Sequence, residues 1–179
     1  GAMALPLFMY HSWQIFHGHA ANALDRFADK FEFRLRTSQQ SLEHLAANSF
    51  VINALVDSSG RDIYLQPTLR DFLLPIGIPS RTVLFDANLS AFAGNHSSYP
   101  ATAGLVDALA KLAFKSEKPQ ATVLEEQGRK LVALAIPVYY PPASAFEGVL
   151  VGVLDSEAIF RPALDLLLDD ECLSITVAG

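Results

Sequence analysis

No proline or glycine interrupts residues 19 to 47, and apolar or small side chains return along this stretch in steps of three and four. Phe16, Ala20, Leu24, Phe27, Phe31, Leu35, Ser38, Leu42, Leu45 and Ser49 form one stripe, the spacing of an amphipathic helix. The opposite side is charged, with Asp25, Arg26, Asp29, Lys30, Glu32 and Arg34, and Glu32 stands one turn before Arg36. A helix of about 30 residues is about 45 Å long, more than the diameter of a domain this size. Part of it must project or find a partner. The pattern predicts that Leu35 to Ala47 packs on the chain's own sheet while the earlier half pairs with a second copy, with Phe27 and Phe31 at the dimer seam.

Further on, Thr122 to Asp155 reads as three apolar strands joined by short turns. Ala121 to Glu125 leads through Glu126-Gln127-Gly128 into Lys130 to Tyr140, and a Pro141-Pro142 break separates this from Phe146 to Leu154. Leu131 to Val138 is apolar on both faces, as a central strand covered on each side must be, and Pro137 must sit where no ladder donor is needed. Earlier, Arg81 to Phe85 and Leu89 to Phe92 flank Asp86-Ala87-Asn88 and predict a first hairpin. Ala103 to Phe114 has helical spacing, and Arg61 to Leu74 reads as a shorter helical connector bent near Pro67 and lying across the sheet. Phe50 to Val56 is an apolar run closed by the turn signal Asp57-Ser58-Ser59-Gly60. The fold class expected is α+β, with a long N-terminal helix packed on a five-stranded antiparallel sheet.

The chain has 179 residues, 51% of them hydrophobic, enough for one principal core. A formal charge of −6, with 13 dispersed basic residues, gives phosphate backbones little to hold, so nucleic acid is not expected as a partner. Cys172 is the one cysteine and forms no internal disulfide. Gly1-Ala2-Met3 reads as a protease-cleavage scar, so the natural start is expected to lie upstream. Behind it, the aromatic-rich run from Leu5 to Phe16 suits either a juxtamembrane position at the lipid interface or docking onto the chain itself.

Catalytic signatures are missing. Gly94-Asn95-His96-Ser97-Ser98 lacks the spacing of a nucleophile elbow, and no phosphate-cradling glycine loop or other cofactor motif occurs. His17 and His19 diverge by about 200° on a helix, so they do not share a metal. Asp169-Asp170-Glu171 lacks the spaced ligands of a calcium loop. Catalytic residues, metal and cofactor are therefore each predicted to be none. A small-molecule pocket is expected between the sheet and its connectors, mostly apolar with a few polar groups. Tyr64, Arg70, Tyr99 and Tyr139 have the chemistry to line it, with Phe85 as an apolar wall.

Several segments together resemble Cache domains, the PAS-like extracytoplasmic sensor domains of bacterial histidine kinases, diguanylate cyclases and chemoreceptors. They are Leu45-Ala46-Ala47-Asn48, Gly60-Arg61-Asp62-Ile63-Tyr64-Leu65, Ala135-Ile136-Pro137-Val138-Tyr139-Tyr140 and Gly148-Val149-Leu150-Val151-Gly152-Val153-Leu154-Asp155. The likeness covers about residues 16 to 160 and rests on order and pattern rather than one motif. It implies a sensor domain over 48–160, preceded by a juxtamembrane and long helix over 4–47. Residues 161–179 would be a descending helix and the opening strand of a second, membrane-proximal module. Members that bind amino acids carry an aspartate in the last strand where this chain has Leu154. Asp155, one residue later, points to the other face of a regular strand, which argues against an amino-acid ligand.

The expectation is a non-enzymatic, ligand-sensing domain on the periplasmic side of an inner-membrane signalling protein, dimeric through its first helix. It would answer to an unidentified small molecule and pass the signal to a kinase or cyclase output domain. The alternative is a cytosolic PAS-like interaction module.

Overall fold

The structure is a computed structural model that describes residues 4–74, 78–95 and 103–161; for residues 4–21, 23 and 79 only the backbone is described. It comprises two compact units, one over Arg36–Ile159 and a flanking one that includes α1 up to Leu35 and the helical residues 160 and 161. The first helix, α1, runs unbroken over Ala4–Ala46. It ends where Asn48 takes an extended conformation and its side chain accepts a hydrogen bond from the Phe50 N–H at 2.8 Å, which starts α2, Ser49–Val56. The apolar run after Asn48 is thus a second helix.

The connector that follows is a single π-helical turn, Arg61–Leu65, running into α3, Gln66–Arg70, whose Pro67 lies in the first turn. Proline has no N–H to lose there, so it starts this helix rather than bending one. The connector packs beside α2: Arg61 Nε donates to the Ala54 carbonyl at 2.7 Å, and its guanidinium lies 4.4 Å from the Phe92 ring centre.

The strands are β1 Leu73–Leu74, β2 Ile78–Asp86, β3 Ala91–Gly94, β4 Gln120–Glu126, β5 Arg129–Tyr140 and β6 Ala145–Asp155. All pairings are antiparallel, in the order β1-β2-β6-β5-β4, and β3 joins β2 on the same edge as β1. The sheet is thus five strand positions wide, as expected. Thr82 faces Gly152 and Asp86 faces Gly148 across β2 and β6, while Leu134 faces Gly152 across β5 and β6. Leu131 to Val138 is buried throughout. Pro137 lies past the end of β4, whose pairing stops with Gln120 opposite Ala135, so that edge of β5 has no ladder to break.

Each face of the sheet is covered by helix. On one side α4, Ala103–Ser116, buries Val106, Leu109, Ala110 and Ala113 against Val83, Phe85, Ala133, Val151 and Val153. On the other, the end of α1 buries Ser38, Leu42, Leu45 and Ala46. The fit is close: a Cβ on Gly152 would stand 2.6 and 2.8 Å from the Leu42 methyls. A Cβ on Gly148 would strike the Phe85 carbonyl oxygen and stand 2.7 Å from a Leu55 methyl.

Asn95 fastens the outer edge. Its side chain accepts from the Thr82 N–H at 2.7 Å and donates to the carbonyls of Ser80 at 2.7 Å and Leu69 at 3.3 Å, tying β2 to α3. In the flanking unit, Phe27 and Phe31 stack on Phe160, with ring centres 5.8 and 4.4 Å apart and planes within 12° and 5° of parallel. The two residues assigned to a dimer seam are therefore engaged within their own chain. The side chains of residues 5–16, His17 and His19 are not described, and Tyr99 and the strand, acidic run and cysteine placed within 162–179 lie outside the described residues.

Two substitutions check this packing. Gly148→Ala should cost about 1–3 kcal/mol, because the added carbon meets backbone that is fixed in the sheet, and Gly152→Ala should cost less, because a Leu42 methyl can turn aside. Asn95→Ala should cost about 1–3 kcal/mol by orphaning the Thr82 N–H and two carbonyls. Urea unfolding monitored by circular dichroism measures all three.

Candidate functional site

One opening on the sheet unit follows from a difference in strand length. Pairing with β4 stops at Ala135, but β5 continues to Tyr140 alongside β6 and turns through the 3-10 segment Pro141–Ala143. The overhanging hairpin, the end of α1, the start of α2 and the link from α4 to β4 enclose a cleft of about 370 Å³. Its floor is Ile136 with Ala46, and its walls include Pro119, Pro137, Pro141 and Ile52. Tyr139 and Phe146 meet edge to face there, with ring centres 5.3 Å apart at 64°, next to the β-bulge at Val138/Tyr139. That bulge re-aims Tyr139 and leaves it 44% exposed at the end of an otherwise buried strand. Glu43 and Glu117 bring the charge, and Gln39 Nε2 donates to Glu43 Oε1 at 2.9 Å.

A smaller cleft, about 270 Å³, lies between α2 and the π-helical turn. Phe50 and Tyr64 form its aromatic side as a parallel stack, 5.2 Å between centres and 9° between planes. Across from them Asp57 accepts from the Ser59 N–H at 2.9 Å and from Ser59 Oγ at 2.7 Å. The bond from the Ser59 backbone N–H, helped by the Ser59 hydroxyl, holds the Asp57 carboxyl below its ordinary value.

The five residues proposed to line one pocket do not meet. Tyr139 lines the larger cleft and Tyr64 the smaller. Phe85, 2% exposed, is core under α4 rather than a pocket wall, because its strand position shares the face of Val83 and Val151. Arg70 pairs with the neighbouring Asp71 at 2.9 Å on the surface, which holds the Asp71 carboxyl down. Tyr99 is outside the described residues. The connector does not bound a cavity with the sheet: it is packed beside α2, and the sheet face under α4 is filled with apolar side chains. Leu154 is fully buried, and Asp155 is committed to structure: it pairs with Arg129, and its other oxygen accepts the Glu157 N–H at 3.0 Å. Neither serves as an amine-binding carboxylate in the cleft.

Glu43, Glu117 and Phe146 escaped the sequence reading. The legible signal was the mismatch between a short β4 and a long β5 flanked by prolines at 119, 137 and 141. Among the described residues no group of three His, Cys, Asp or Glu side chains is placed to hold a metal, and no helix is long and apolar enough to cross a membrane.

This architecture has known counterparts. The sensor domain of the histidine kinase DctB of Vibrio cholerae superposes with a TM-score of 0.64 at 20% identity, over 83% of this chain and 59% of that one. The ligand-binding domain of the amino-acid chemoreceptor PctC of Pseudomonas aeruginosa, solved with GABA, matches with a TM-score of 0.57 at 17% identity, over 79% of this chain and 65% of that one. The fold is that of extracytoplasmic, PAS-like Cache sensor domains. The ligand-binding domain of the chemoreceptor Tlp3 of Campylobacter jejuni, solved with L-valine, shares it at a TM-score of 0.56 and 13% identity, over 83% of this chain and 64% of that one. This chain spans about 60% of the DctB chain and about two thirds of the PctC chain. No protein-family model and no curated protein matches the sequence.

Core and cleft roles separate by stability. Phe85→Ala should cost about 3–5 kcal/mol, the range for a buried aromatic, whereas Tyr64→Ala should cost about 0.5–1.5 kcal/mol, since Tyr64 is 53% exposed and loses chiefly a ring stack. Chemical denaturation of both variants measures the difference.

Proposed function

We propose that this chain is the extracytoplasmic ligand-sensing domain of a membrane-bound bacterial signal-transduction protein, with the Tyr139 cleft as its receptor site. The observation that carries the reading is the fold itself, a five-position antiparallel sheet strapped by one long helix, shared with sensor domains of a histidine kinase and of chemoreceptors. Two of those counterparts were solved with a small molecule bound, which supports a small-molecule stimulus here. The domain is not itself an enzyme in this proposal. Output belongs to a kinase, cyclase or chemoreceptor signalling domain elsewhere in the full-length protein.

Transmission follows from the walls of the cleft. Glu43, Ala46 and Ala47 belong to the end of α1 and the residue after it, while Ile136, Tyr139 and Phe146 belong to the β5–β6 hairpin. A ligand that prefers one setting of helix against hairpin stabilises that setting by its difference in affinity, and α1 carries the shift along its length. Homodimerisation through α1 belongs to the same proposal. Phe27 and Phe31 stack on Phe160, and Leu24 and Phe33 are 65% and 69% exposed on the same helix.

The test is a thermal-shift screen of the chain against metabolite panels. A ligand at about 100 times its Kd stabilises the folded state by about 2.7 kcal/mol, about 5 °C or more for a chain of this size. Tyr139→Ala should remove the shift while leaving the unliganded melting temperature within about 3 °C of the parent. A shift that survives this substitution rejects the cleft as the receptor site.

A further inference from the structure

We infer that the Tyr139 cleft takes a small organic cation, an amine or quaternary ammonium with a compact apolar body. This rests on the reading of the cleft as the sensory site and adds the class of ligand. Two carboxylates, Glu43 and Glu117, are the charged groups of the lining, and no lysine, arginine or histidine is among its lining residues. Donors are scarce as well. Pro119, Pro137 and Pro141 have no N–H, and the Ala47 N–H is already given to the Glu43 carbonyl at 2.9 Å. An anion needs N–H or O–H groups aimed at it, and among the side chains of these lining residues the Tyr139 hydroxyl is the one donor, against two carboxylates.

The rings suit the same class. Tyr139 and Phe146 touch edge to face at 64°, so a positive group would rest against the outer face of a ring of this pair rather than between the two. Gln39 holds one Glu43 oxygen at 2.9 Å, orienting that carboxylate while its second oxygen keeps its capacity to accept. Prolines and Ile52 give rigid apolar walls, and about 370 Å³ lies in the lower part of the range for small-molecule sites, which favours a compact body. The chain's charge of −6 favours the approach of a cation over that of an anion.

Three probes with the same branched apolar body separate charge from shape: tetramethylammonium, tert-butanol and pivalate. Each is titrated at constant ionic strength while the ring resonances of Tyr139 and Phe146 are followed by NMR. The expected result is saturable movement of both rings by tetramethylammonium, with tert-butanol and pivalate at least about fivefold weaker. Glu43→Gln and Glu117→Gln should each weaken the cation by about twofold to fivefold. Tyr139→Ala should weaken it by about fivefold, and Tyr139→Phe, which keeps the aromatic face, should restore it. Equal binding of the neutral or anionic probe, or no effect of either glutamine variant, overturns the cationic class while leaving the cleft as a receptor site. If neither these probes nor any stabilising metabolite from the panel moves the two rings, the cleft itself is wrong, and the ligand class falls with it.

Discussion

The seats of α1 and α2 on the sheet depend on two missing side chains. Gly148 and Gly152 lie on one face of β6, the strand between β2 and β5, and there Leu42 and Leu55 descend to within contact of the backbone. Burying a leucine such as Leu42 fully is worth about 1.5–3 kcal/mol, and the bare backbone at Gly152 lets Leu42 seat there without turning its methyls aside. The same approach fixes the height at which α1 ends, and therefore where Asn48 starts α2 and where Glu43 and Ala46 overlook the β5–β6 hairpin.

The opposite face has no such latitude. Valines and alanines on β5 and β6 interlock with the small residues Ala110 and Ala113 of α4, and Phe85 fills the space beside them. Protein interiors are packed to crystal-like density, so a face closed in this way leaves no volume for a ligand without displacing core. Openings remain where elements of unequal length stop beside one another. Beyond Gln120 the overhang of β5 is flanked by chain turns rather than by a strand, and Pro119 and Pro141 keep those turns rigid.

Much of the fold was legible because it rests on local periodicity. The long helix showed in unbroken steps of three and four, the central strand in the apolar run from Leu131 to Val138, and the hairpins in Asp86-Ala87-Asn88 and Glu126-Gln127-Gly128. The apolar run at Phe50 to Val56 is too short for its period to separate a helix from a buried strand, and the Asn48 cap makes it a helix. Proline is compatible with a bend and with a helix start, and the preceding π-helical turn makes Pro67 open a helix.

The site was less legible than the scaffold. Tyr64 and Tyr139 were chosen for their chemistry and each lines a cleft, but they line different ones, and Phe85 turned inward because parity along β2 places it with Val83. Glu43 and Glu117 come from the ends of two helices far apart in the chain, and no sequence pattern links them. From the sequence follow the types of the long helix, of α4 and of the main strands, the antiparallel meander and the absence of a recognised catalytic motif, since these rest on side-chain period and turn chemistry within a few residues. Tertiary structure alone decided which sheet face closes and which side chains share a cleft, because those depend on contacts between distant segments, on strand register and on where neighbouring elements end.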